Sequence, residues 1–174
     1  MKKSVWCSVT AVMLALGAQA AGDKVVLPDI EMEQNGLPFR LIEGYGEYRI
    51  VATHYRTDKH ELRYILADPV AYEALQKGVS PLPEGSKVVK IGWDVAPMER
   101  FPAALEARTI QRVEYMVKDS TRFDRGGDHW GYARFVKAGD GYESWKGDTA
   151  ECAACHSAAA DTDYLFTRMQ KTFE

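Results

Sequence analysis

Cys152-Ala153-Ala154-Cys155-His156 stands near the C-terminal end of the chain. Two cysteines three residues apart, followed at once by a histidine, form the pattern by which a haem is attached covalently. On a helical turn such cysteines share a face, so each thiol can add to one vinyl group of the ring. The next residue then points beneath the porphyrin and can bind iron through a ring nitrogen. The two intervening alanines keep that turn small. Other readings explain less. A structural zinc site wants four ligands, and the remaining histidines are His54, His60 and His129. A thioredoxin-like pair wants a βαβ context, which is not visible at the motif. A plain disulfide leaves His156 without a role. The sixth iron position has three thioether candidates, Met98, Met116 and Met169. Each serves equally well as core filler, and no spacing marks one as a ligand.

The start of the chain bears on whether such thiols meet haem. Lys2 and Lys3 are followed by an apolar stretch, Val9 to Leu16, and by Ala18-Gln19-Ala20. That is the order of a cleavable export signal, and the apolar stretch is too short to span a bilayer. Residues 1–20 are therefore expected to be a signal peptide and the mature protein to be periplasmic. Cutting after Ala20 leaves 154 residues, enough for one domain with a core of its own. It also removes Cys7, so Cys152 and Cys155 become the full cysteine complement. Loss of two lysines takes the formal charge from −3 to −5. With no basic block left, nucleic-acid binding has no electrostatic support. No later hydrophobic run is long enough to enter a membrane.

The elements that must position the motif are mostly strands. Residues 21–44 read as an N-terminal leader, loose through 21–38, where Pro28, Gly36 and Pro38 punctuate it. Residues 45–174 read as the domain. Alternation marks strands at Tyr48–Tyr55 and Glu61–Ala67, joined by a turn. Asp68-Pro69 starts a short helix: an Asp cap, then Pro where its missing N–H is harmless. Gly78 ends it. Further strands are expected at Lys87–Val95, about Ile110 to Val117, and roughly Trp130 to Val136. Asp119-Ser120 caps a single turn. Gly139-Asp140-Gly141 makes another. From Thr149, a plausible N-cap, the chain turns helical and carries the cysteines. Short connections favour antiparallel pairing with helices outside the sheet. The expected class is α+β, a mainly antiparallel sheet with a few short helices and a C-terminal haem-attachment helix.

Within Val88-Val89-Lys90-Ile91-Gly92-Trp93, alternation puts Val89, Ile91 and Trp93 on one face, toward the core. Val88, Lys90 and Gly92 share the other, and Gly92 leaves room there for a flat ring. Residue type alone favours an ordinary solvated Lys90, because lysine is rarely buried unpaired. Arg63 shares a face with Ile65. It reads either as a cation near haem propionates or the open iron face, or as a surface arginine or an ion-pair partner of Asp68. Trp93 and Phe101 are candidates for pocket walls, with core packing the simpler role.

An ordered set of blocks resembles the cytochrome P-460 family, which includes the cytochromes c′-beta. Arg63 is followed by Asp68-Pro69 and Tyr72. Gly85 is followed five residues later by Lys90. Then come Val117-Lys118-Asp119-Ser120, Arg122-Phe123 and Trp130, and last the haem motif with Thr162-Asp163 and Phe166-Thr167-Arg168. The resemblance covers roughly residues 45–170. It implies an antiparallel sheet, a homodimer, and a haem against the sheet with one iron face open to a small nitrogen-containing or diatomic ligand. It also places Lys90 at the position of a lysine that in P-460 members is bonded to the porphyrin. Departures are the loop Ser80–Glu84, the stretch Asp140–Trp145, and Ser157-Ala158-Ala159 after the motif.

Three functions follow from these readings. One is oxidation of hydroxylamine or a related small nitrogen compound, with Lys90 and Arg63 as catalytic candidates and electrons passed to a periplasmic acceptor cytochrome. The second is binding of nitric oxide or carbon monoxide without turnover. The third is simple electron carriage with a methionine ligand.

Overall fold

The computed structural model describes residues 26–171. The expected signal peptide and Cys7 lie outside the described residues. The chain forms one six-stranded antiparallel meander in the order β1 to β6. The strands are β1 (Arg49–Arg56), β2 (Glu61–Ala67), β3 (Lys87–Pro97), β4 (Leu105–Lys118), β5 (Trp130–Ala138) and β6 (Gly141–Ser144). Two short helices, α1 (Pro69–Gln76) and α2 (Ala150–His156), accompany it, with a 3-10 segment from Ser157 to Thr162 directly after α2. The α+β class expected from alternation and turn spacing is the class observed. Among the described residues no helix is long and apolar enough to cross a membrane.

Local signals set several boundaries. Asp68 caps α1, its Oδ1 accepting from Ala71 N at 2.9 Å, and Pro69 takes the first helical position. The same oxygen accepts from Lys87 N at 3.1 Å, so the cap also ties α1 to the start of β3. Gly78 follows the helix with φ of 66°, a left-handed conformation that glycine adopts without strain. Thr149 does not cap α2. Its backbone is already helical and its side chain makes no cap bond, while Asp148 Oδ1 accepts from Ala150 N at 2.8 Å. A carboxylate one residue earlier caps the turn instead, taking the Ala150 amide rather than those of Glu151 or Cys152.

Two further expectations fail. β4 begins at Leu105, five residues before Ile110, and the Asp140–Trp145 stretch, where a turn at 139–141 was the one element expected, contains β6, whose Tyr142 packs edge-on against Phe39 at 5.2 Å. The described part of the N-terminal segment, from residue 26, is not loose. Leu27, Met32, Leu37, Phe39 and Ile42 are buried and cover one face of the sheet, against Val89, Ile91, Val113, Tyr115 and Phe135. Phe39 stacks on Phe135 with centroids 4.3 Å apart. The opposite face carries a second core, in which Val51, Ile65, Val88, Met116 and Tyr132 meet α1, α2 and Leu165. The split between faces follows the alternation of β3: Val89 and Ile91 on one side, Val88 and Lys90 on the other.

Candidate functional site

The second face of the sheet opens into a cleft of about 350 Å³, walled on one side by strands and on the other by α2 and the segment after it. That volume lies within the range of roughly 300–1,000 Å³ usual for small-molecule and cofactor sites. Cys152, Cys155, His156, Lys90 and Arg63 all line it, so separate stretches of sequence converge there.

Antiparallel register explains the strand side. Ile65, Lys90, Glu114 and Arg134 are successive cross-strand partners in one transverse row over β2 to β5. Directly opposed residues have neighbouring side chains, so opposite charges in such a row pair without rearrangement. Lys90 Nζ lies 2.5 Å from Glu114 Oε2, and Arg134 Nε lies 2.5 Å from Glu114 Oε1. The next row holds His54, Arg63, Gly92 and Arg112. Here Arg63 Nε pairs with Glu61 at 2.5 Å, and Arg112 pairs with the other oxygen of Glu61. Arg112 also approaches Glu114 Oε2 at 3.5 Å, which joins both rows in one network. Arg63 therefore pairs with Glu61 and not with Asp68, whose side chain is engaged by the α1 cap.

Gly92 has a purpose other than space for a ring. A Cβ there would lie 2.9 Å from Glu61 Oε2 and 3.3 Å from Arg112 Cγ. The volume above Gly92 is occupied by the Glu61–Arg112 ion pair crossing β3. A side chain at this position would force that pair aside, because it passes so close to the backbone.

The network fixes charge states. Burial alone pushes the Glu114 carboxyl up, but the Lys90 ammonium and the Arg134 guanidinium outweigh it and bring the group down to about 2. Burial lowers the Lys90 ammonium below its ordinary value, while Glu114 works in the opposite direction. Four cations, Arg63, Lys90, Arg112 and Arg134, face two carboxylates, Glu61 and Glu114. The wall thus carries an excess of positive charge, suited to a ligand bearing carboxylates.

The helical side supplies metal-binding chemistry. His156 Nδ1 lies 2.6 Å from the carbonyl oxygen of Tyr164. A carbonyl only accepts, so Nδ1 carries the proton and Nε2 keeps its lone pair. Burial pushes the imidazole pKa down, which favours this neutral form. Tyr132 and Phe166 flank the ring, with centroids at 5.0 and 5.1 Å, and restrict its rotation. Cys152 is half-buried and Cys155 exposed, both as free thiols. Among the described residues no cluster of three or more His, Cys, Asp or Glu assembles a metal site from protein donors alone. A single imidazole with a free nitrogen, two thiols one turn apart, and a cationic wall form a donor set that fits haem with its propionates.

The methionine candidates separate by position. Met116 is buried and lines the cleft. Met169 packs at the edge of the second core, and Met98 sits exposed beyond the end of β3. Phe101 is 61% exposed and belongs to neither core nor cleft, contrary to both of its expected roles. Trp93 packs against the first core and stands 6.0 Å from the Tyr64 ring, as the alternation implied. Glu61, Arg112, Glu114, Tyr132, Arg134 and Phe166 are site residues that the sequence reading did not single out for this role. The alternation Arg112-Val113-Glu114-Tyr115-Met116 already puts Arg112 and Glu114 on the face opposite Val113 and Tyr115. Only the register shows that they meet Gly92 and Lys90.

Among curated proteins none matches this chain. The family model described as Cytochrome P460 matches residues 42–167, most of the chain, and the protein therefore belongs to the Cytochrome P460 family of haem-binding cytochromes.

Proposed function

We propose that this protein is an exported, periplasmic c-type cytochrome. Its haem is bonded to Cys152 and Cys155 and ligated by His156, and it oxidises hydroxylamine or a related small nitrogen compound. When bound, the haem supplies a redox-active iron with one coordination position for a small ligand. The chain's residues do the rest. His156 offers Nε2 while Tyr164 holds the proton on Nδ1. Arg63 and Arg112, anchored by Glu61, present cations to propionates or to a polar ligand. Lys90 tunes or bonds the ring from the sheet side. The family resemblance supports a homodimer and electron transfer to a periplasmic acceptor cytochrome.

The observation that carries this reading is the convergence of Lys90, from β3, with Cys152, Cys155 and His156 in one cleft. Its test is denaturing electrophoresis followed by haem staining, on protein made with a haem-attachment system. Wild type should stain, and Cys152→Ala/Cys155→Ala should not. An unstained wild-type band would remove the covalent haem, and with it the reaction.

A second reading is favoured by a specific contact. Lys90 is held at 2.5 Å by Glu114. An ammonium so paired is not a nucleophile, because only the neutral amine attacks. On this second reading the protein would be a gas-binding cytochrome of the c′-beta kind, with an unbonded lysine. The ferrous absorption spectrum separates the two, since a ring bonded to lysine absorbs to the red of an ordinary c-type haem.

A further inference from the structure

Three stretches singled out in the sequence have no part in the proposed function: Val117-Lys118, the loop Ser80–Glu84, and Thr162-Asp163. The structure brings them together. Asp163 is buried, and its Oδ2 accepts from Leu82 N at 2.8 Å. Its Oδ1 pairs with Lys118, and each of the two side chains is only 5% exposed. Lys118 Nζ also lies 5.0 Å from the centroid of the Trp130 ring.

The backbone at this point is unusual. Asp163 and Tyr164 both have positive φ, 54° and 65°, and neither is glycine. Residues with a Cβ resist the left-handed region, and such residues persist only where surrounding contacts hold them. Here Tyr164 N donates to Ala159 O at 2.8 Å, and Thr162 Oγ1 donates to Leu165 O at 2.7 Å. The consequence is directional. Two successive left-handed residues reverse the chain and aim the Tyr164 carbonyl at His156 Nδ1, 2.6 Å away.

We propose that Asp163, clamped by Lys118 and the Leu82 amide, is a positioning residue for His156, holding the left-handed turn so that the Tyr164 carbonyl keeps its hydrogen bond to Nδ1. This rests on the reading of His156 as the iron ligand. A carbonyl that accepts from the far nitrogen of a ligating imidazole fixes the tautomer and makes the ring a stronger donor to metal. The buried pair thus acts through one carbonyl, and neither Lys118 nor Asp163 lines the cleft.

The test uses the haem-loaded protein and two readouts apart from activity. These are the iron–histidine stretching band of the ferrous state, by resonance Raman, and the reduction midpoint, with thermal melting alongside. Asp163→Asn, which keeps an acceptor for Leu82 but loses the charge, should lower the band frequency and raise the midpoint. Lys118→Met should shift both the same way, and Lys118→Arg should stay near wild type. Phe39→Leu, in the core of the other sheet face, should lower the melting temperature and leave band and midpoint in place. Where Asp163→Asn does not fold, Lys118→Gln carries the same decision. Unchanged band and midpoint in the folded variants overturn the proposal, and so does an equal shift in Phe39→Leu. Failure of the ligand reading looks different: His156→Gly would retain the iron–histidine band of the wild type.

Discussion

Lys90 and Glu114 face each other across β3 and β4 in the same register position, with Nζ and Oε2 2.5 Å apart. Glu114 also holds Arg134 at 2.5 Å, so one buried carboxylate keeps two cations at rest beside a third, Arg112. Glu114→Gln should leave those cations in mutual repulsion with little water to screen them. Breaking a buried ion network by removing one partner costs about 3–5 kcal/mol. For a domain of this size that corresponds to a fall in Tm of roughly 6–20 °C, at about 2–4 °C per kcal/mol. Thermal unfolding followed by circular dichroism checks it, and an unchanged Tm would show that the network contributes nothing to stability.

The same carboxylate predicts how stability responds to acid. The folded-state pKa of Glu114 is lowered from 4.5 to about 2. A depressed carboxyl contributes stability that is fully present above its unfolded value and is lost as pH falls through the folded one. The window is therefore pH 4.5 down to about 2. The contribution is about 3 kcal/mol, because each tenfold difference in proton affinity between folded and unfolded chain is worth about 1.4 kcal/mol. Urea midpoints measured across this window should fall more steeply for wild type than for Glu114→Gln, whose amide does not titrate. Parallel curves would show that Glu114 has no part in the acid response.

What the sequence discloses here is what is local or periodic. The Asp68 cap depends on residues within one turn, and the facing of Val89 against Lys90 depends only on alternation. Both are legible without a partner strand. The charge network is not, because Glu61 reaches Arg112 over Gly92 only once β2, β3 and β4 are aligned. The N-terminal segment hides its role for a different reason. Leu27, Met32 and Leu37 follow no helical or strand period, and Phe39 and Ile42 share only one 3-10 turn, since together they fill a face whose shape is made by the sheet. β6 is masked by the glycines at its entry and by its acidic neighbours; it is the last strand of the sheet, an edge that tolerates such residues.

Gly92→Ala tests the crossing pair directly. The new methyl would stand 2.9 Å from Glu61 Oε2, in a carboxylate that Arg63 and Arg112 hold on both sides. Overpacking of this kind costs about 1–3 kcal/mol. Measured against Glu61→Ala alone, Gly92→Ala should cost little, because the carboxylate that collides is gone. A double-mutant cycle in urea denaturation measures the coupling. Additive losses would mean that the two residues do not meet.

Met116 is the methionine that lines the cleft among the described residues, and its place on β4 between Val88 and Tyr132 in the second core argues for packing. Met116→Leu should leave the ferric absorption spectrum as it is, and should cost less than about 1.5 kcal/mol as a volume-conserving swap. Conversion from a low-spin to a high-spin spectrum would identify Met116 as an iron ligand. That result would favour the electron-carrier reading over both readings with an open site.

Lys90 decides between turnover and simple binding. It lines the cleft with Cys152, Cys155 and His156, and it is paired with Glu114. Burial lowers its ammonium pKa, which favours loss of the proton, while Glu114 opposes that loss. If the lysine is bonded to the ring, tryptic digestion should not separate its peptide from haem. Lys90→Ala should then keep haem through the two thioethers but lose the red-shifted ferrous absorption and most hydroxylamine oxidation, while still binding nitric oxide. Lys90→Arg should fail equally, because a guanidinium stays protonated and is a poor nucleophile, even though it preserves the pairing with Glu114. That second variant matters because it separates the charge from the amine. If wild type, Lys90→Ala and Lys90→Arg share one spectrum and one reactivity, the lysine serves the ion network alone, and the protein is a gas-binding cytochrome.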